Sequence, residues 1–165
     1  MCMARKIQVV VGNAGYRHQL ERTRRFLGRV YNLIQADWGT TGNQVYFQDM
    51  MWAFFQNGWH VKDWIEHDPI VPRATQDTAI AMAHNSPDLM VCRELCNGTK
   101  HLGKIPGQAS HSHIDSENVD GFTVDMHCVI EDGGGKLISG KELAQRCLAE
   151  WDRILTSQNL PMWLG

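Results

Sequence analysis

At 165 residues, 43% hydrophobic and 21% charged, the chain has the size and balance of a single globular domain with its own core. Its formal net charge is −2, and no apolar run approaches the length needed to cross a bilayer, so no membrane partner is expected. Cys2, Cys92, Cys96, Cys128 and Cys147 are an odd number at low density. That points to reduced thiols and a cytoplasmic location rather than a disulfide scaffold. The basic start at Met1 is followed by too short an apolar run for a signal peptide.

The small net charge conceals an asymmetry. Residues 1–35 carry seven Lys/Arg against one acid, Glu21, while the remainder carries nine against seventeen. A basic first helix on an acidic body suits a nucleic acid or an acidic partner surface, and it also suits an ordinary solvated helix face.

Residues 1–15 contain the β-branched run Lys6 to Val11 and then a glycine break, which predicts an edge strand or arm. Arg17 to Gln35 has helical periodicity, with Leu20, Phe26, Leu27 and Val30 on one stripe and Arg22, Arg25 and Arg29 on another. After the turn-rich Asp37–Asn43, the segment from Gln44 to His67 holds three of the six tryptophans and no proline. It is apolar most of the way round, as expected of a central helix surrounded by others. Asp68-Pro69 ends it, because the residue before proline is pushed out of helical geometry.

A short helix is expected over Thr75–His84, burying Ile80 and Met82. Ser86-Pro87-Asp88 then reads as N-cap, first helical position and first-turn acid of the next helix, which runs towards Gly103. Lys104 to Asp120 is polar and reads as a mobile loop. Residues 122–138 predict a β-hairpin turning at Asp132-Gly133-Gly134-Gly135. Ser139 and Glu142 form a capping box for the last helix, with residues 158–165 as a tail. Together these predict one mainly α domain, an up-and-down bundle of four or five helices with a small hairpin before the last.

Two polar rows lie on these otherwise apolar helices. His60, Asp63, Trp64 and His67 fall at i, i+3, i+4, i+7, and Arg93, Asn97, Lys100 and His101 at i, i+4, i+7, i+8. If the two helices are antiparallel neighbours, the rows face each other across a cleft. One reading is a hydrogen-bonded polar layer that specifies the packing. Another is a metal site, since His60, Asp63 and His67 have a geometrically acceptable spacing. No paired Cys-x2-Cys signature supports a metal, however, and none is assigned. Cys92 and Cys96, four apart on an apolar helix, read as small core residues.

The segment C-R-E-L-C-N-G-T-K-H, with W-H-V-K-D-W on the preceding long helix, resembles small bacterial helical proteins of the HEPN type. The resemblance covers roughly residues 47–102. It implies a homodimeric bundle without cofactor, whose active relatives are metal-independent RNases. Their signature is an arginine, usually a polar residue next, and a histidine four to six residues on. Asn97, Lys100 and His101 match the downstream half. Cys96 occupies the arginine position, and Arg93 stands one turn earlier. Eight helical residues separate Arg93 from His101, about 12 Å along the axis at 1.5 Å per residue. The resemblance so modified implies a non-catalytic bundle that binds a partner or ligand, RNA or nucleotide among them, through His60, Asp63, Trp64, His67 and Asn97. The alternatives are a toxin-like RNase using His101, Arg93 and Lys100, and a small-molecule or metal-binding bundle.

Overall fold

The computed structural model describes residues 15–33, 41–100, 111–119, 123–131 and 137–163. Five helices dominate: α1 (Gly15–Leu33), α2 (Thr41–Glu66), α3 (Arg73–Asn85), α4 (Pro87–Lys100) and α5 (Gly140–Ser157). Strands β1 (His111–Val119), β2 (Thr123–Glu131) and β3 (Leu137–Ser139) form one antiparallel sheet in the order β1-β2-β3. The chain is mainly α, and the expected hairpin before the last helix is the β2–β3 pair. The segment read as a polar loop contributes β1, which aligns His111 with Glu131 and Val119 with Thr123. Its polar composition hides it, because a strand pairs through its backbone whatever its side chains are. Residues 1–14 of the expected N-terminal arm fall outside the described residues, and Gly15 belongs to α1.

Helix α2 is central, touching each of the other four helices and β2. Phe47, Met51, Phe54, Phe55, Trp59, Val61 and Ile65 are all buried along it. Gly58 marks the crossing point. A Cβ placed there would sit 3.5 Å from Cys92 Sγ on α4 and 3.6 Å from a Thr23 methyl on α1. From α5, the fully buried Trp151 donates its indole N–H to the Gly58 carbonyl at 3.0 Å. A buried tryptophan needs such a partner, since an unpaired N–H costs about 1–3 kcal/mol.

Helices α1 and α2 run antiparallel. Gln19 Nε2 donates to the Asn57 carbonyl at 2.9 Å, while the start of α1 reaches Asp68, just past the end of α2. There the buried Asp68 carboxylate accepts from the Tyr16 N–H at 3.2 Å and the Ile70 N–H at 3.0 Å. It thus satisfies one of the donors that the first turn of α1 cannot pair internally. Gly15 holds φ +43°, and any side-chain carbon on it would collide with Asp68 Oδ2.

Both predicted N-cap serines accept a first-turn N–H, while the Glu142 side chain of the expected capping box bonds Arg146. Ser86 Oγ accepts from the Leu89 N–H at 3.4 Å, and Ser139 Oγ from the Glu142 N–H at 3.5 Å. Helix α3 departs from expectation in its inner face. Gln76, Ala79 and Ala83 are buried, whereas Ile80 and Met82 are only half-buried. Small side chains let α3 approach the bulky α2, where His84 meets Trp59 edge-on with ring centroids 5.3 Å apart. Residues after α5 dock on α1: Tyr16 donates its hydroxyl to the Pro161 carbonyl at 2.7 Å, and Arg24 lies 4.0 Å over Trp163. No described helix is long and apolar enough to cross a membrane.

Candidate functional site

The last two turns of α2 carry the first polar row. His60 Nδ1 and Asp63 Oδ2 are 2.7 Å apart, one helical turn from each other. Lys62 donates to the other oxygen of the same carboxylate. Burial of Asp63 works to raise its pKa, but the hydrogen bonds and charges of Lys62 and His60 outweigh it and hold the carboxyl below its ordinary value. An ionised carboxylate only accepts, so the His60 proton belongs on Nδ1. The other ring nitrogen, Nε2, faces Cys96 Sγ of α4 at 3.8 Å. The His60 side chain is 37% exposed and that of Asp63 36%, so the pair forms a rim between solvent and the buried thiol.

The rest of the row diverges. His67 Nδ1 turns back to the Asp63 carbonyl at 2.7 Å and stays exposed. Trp64 is half-buried and turns to α1, where the Arg22 guanidinium lies 5.8 Å from its ring centroid. The spacing-based metal triad therefore does not assemble. Among the described residues no group of three or more His, Cys, Asp or Glu side chains converges to hold a metal ion.

The second row is only partly within the described residues. Arg93 and Asn97 are half-buried on α4, and Arg93 Nε is sealed from solvent without a hydrogen-bond partner. Lys100 closes α4, and its side chain lies outside the described residues, as does His101.

The antiparallel pairing imagined for the two helices is corrected. Contacts step forward together along both: Cys92 Sγ bonds the Phe55 carbonyl at 3.2 Å, and Cys96 Sγ meets His60. With α3 as the returning helix between them, α2 and α4 run in the same sense. The link between the rows is Cys96, which spacing alone assigned to the core.

Cys92 has two thiol neighbours in the core, Cys96 and Cys147. Burial pushes the Cys92 thiol well above its ordinary value, and the adjacent Cys147 and Cys96 sulfurs push it further. A separate pocket of about 220 Å³ is lined by Tyr16, Arg17, Asp68, Ile70, Val71, Leu160 and Pro161. It contains none of the candidate site residues read from sequence. Compared with known proteins, the chain matches no family model, no curated protein and no solved structure.

Proposed function

We propose that this chain is a HEPN-like, non-catalytic bundle that binds single-stranded RNA or a nucleotide at the face where α1 meets the end of α2. The observation carrying this reading is the Arg22 guanidinium, 5.8 Å from the centroid of the Trp64 ring. The ring joins the arginine row of α1 to the histidines of α2. Arg25 and Arg29 continue that row at i+3 and i+7, both exposed. His60 and His67 flank Trp64, and Asn97 stands one residue beyond Cys96 on α4. Positive charge beside aromatic surface suits single strands, the cation meeting phosphate and the ring meeting a base.

Position 96 favours binding over cleavage. HEPN-type RNases place an arginine there to meet phosphate, but in this chain the position is fully buried against His60. A side chain starting from it points into the bundle.

Anisotropy of a labelled single-stranded RNA across a salt series, with EDTA present, tests the reading. Binding should weaken with salt, and Arg22→Ala should flatten the log–log slope by about 0.7, one phosphate contact on a single strand. Trp64→Ala should weaken binding, with Trp64→Phe retaining most of it. No binding at low salt would discard the proposal. RNA cleavage in EDTA that disappears in both Arg93→Ala and His101→Ala would replace it with the RNase reading. Light scattering should give twice the chain mass for the homodimer.

A further inference from the structure

We propose that Cys96 is a hydroperoxide-reactive thiol, with His60 as its proton partner and Asp63 as the residue that positions His60. The inference does not depend on RNA binding. It rests on three side chains from two helices in one line: Asp63 Oδ2 to His60 Nδ1 at 2.7 Å, then His60 Nε2 to Cys96 Sγ at 3.8 Å. Carboxylate, imidazole and thiol in that order are the arrangement that activates a sulfur nucleophile. With Nδ1–H given to Asp63, neutral His60 presents a lone pair at Nε2 to the S–H. Proton transfer makes a thiolate beside an imidazolium, and the Asp63 carboxylate stabilises the latter. Among the described residues, the charged or titratable groups next to the relay include Lys62 beside Asp63 and Cys92 beside Cys96.

The chain contains its own comparison. Cys92 is also fully buried, but its thiol bonds a backbone carbonyl among other thiols, an environment that disfavours the thiolate. Full burial of Cys96 selects the co-reactant. A bulky carbonyl substrate has no room at this sulfur, whereas hydrogen peroxide is close to water in size, and the neighbouring His60 side chain is partly exposed. The step balances as follows. The thiol proton moves to Nε2, and the thiolate attacks one peroxide oxygen. An S–O bond forms and the O–O bond breaks, so sulfur is oxidised by two electrons. The departing hydroxide takes the proton back from His60 and leaves as water. The product is a sulfenic acid.

The experiment treats the reduced full chain with hydrogen peroxide, traps sulfenic acid with dimedone, and quantifies each cysteine peptide by mass spectrometry. Cys96 should be trapped faster than Cys92 and Cys147. His60→Gln should slow Cys96 by on the order of a hundredfold, the lower range for a positioned proton partner, leaving the other two unchanged. Asp63→Asn should move the pH profile of Cys96 trapping upward. Trapping of Cys96 no faster than Cys92 in the unsubstituted chain would overturn the proposal without reference to any variant. So would an undiminished Cys96 rate in His60→Gln.

Discussion

Removing the Asp68 carboxylate tests how the start of α1 is held. Asp68 is 5% exposed, and its two oxygens accept from the Tyr16 and Ile70 N–H groups. In Asp68→Ala the Tyr16 N–H loses its acceptor inside the protein, at a cost of about 1–3 kcal/mol. The Ile70 N–H lies nearer solvent and costs less, and loss of an anion at a helix N-terminus adds about 0.5 kcal/mol. Together these predict roughly 3 kcal/mol of lost stability, or about 6–12 °C in Tm for a chain of this size. Urea unfolding followed by circular dichroism measures it. Gly15 supplies a cross-check. Gly15→Ala in the unsubstituted chain meets both the positive φ and the Asp68 oxygen. In the Asp68→Ala background the clash is gone, and only the left-handed backbone cost of about 1–2 kcal/mol remains. A loss below about 0.5 kcal/mol for Asp68→Ala, within the range of a featureless surface change, would refute the reasoning. So would a Gly15→Ala penalty that is equal in both backgrounds.

Two mid-helix glycines predict the opposite sign. A Cβ at Gly28 meets nothing within 4 Å, and one at Gly58 meets ordinary contact distances, so Gly28→Ala and Gly58→Ala should each stabilise by roughly 1 kcal/mol in urea unfolding. Trp151→Phe leaves the indole site short of volume and removes the donor to the Gly58 carbonyl, so a loss of about 1–3 kcal/mol is expected in the same assay. Burial raises the Tyr16 hydroxyl to about 12, with Arg17 opposing and Asp68 assisting. Because the folded state holds that proton more tightly, the contribution is complete below the unfolded value of about 10 and is lost as pH climbs towards 12. Tyr16→Phe should flatten that alkaline decline in a pH series of melts.

Most of the helical frame was legible because it depends on local rules. Ser86-Pro87-Asp88 and Ser139-x-x-Glu142 are caps whose mechanism is contained in four residues, and both serines cap as read, although the Glu142 carboxylate turns to Arg146 instead of closing the box. The centrality of α2 followed from apolar residues on nearly every side, since such a helix must be enclosed. What escaped depended on approach between elements. Spacing marked Ile80 and Met82 as the buried side of α3, but contact with Phe- and Trp-rich α2 selected Ala79 and Ala83. Asp68 read only as a helix stop before proline. Its role as acceptor for α1, 52 residues earlier in the chain, has no local signature.

The site divides along the same line. His60 and Asp63 sit one turn apart, so their pairing was implicit in i, i+3 spacing. The same rule grouped His67 and Trp64 with them, and there it failed, because neither meets another side chain of the row: His67 bonds the backbone carbonyl of Asp63, and Trp64 meets Arg22 on α1. Cys96 shows the limit most clearly. Its spacing from Cys92 is that of core filler, and by burial it is a core residue. The chemistry proposed for it comes from the imidazole on another helix, and that neighbour depends on α4 running alongside α2 in the same sense. An arginine there would have to bury a guanidinium beside His60, at a cost of several kcal/mol unless paired. The thiol fits the space and gives His60 Nε2 a hydrogen-bond partner.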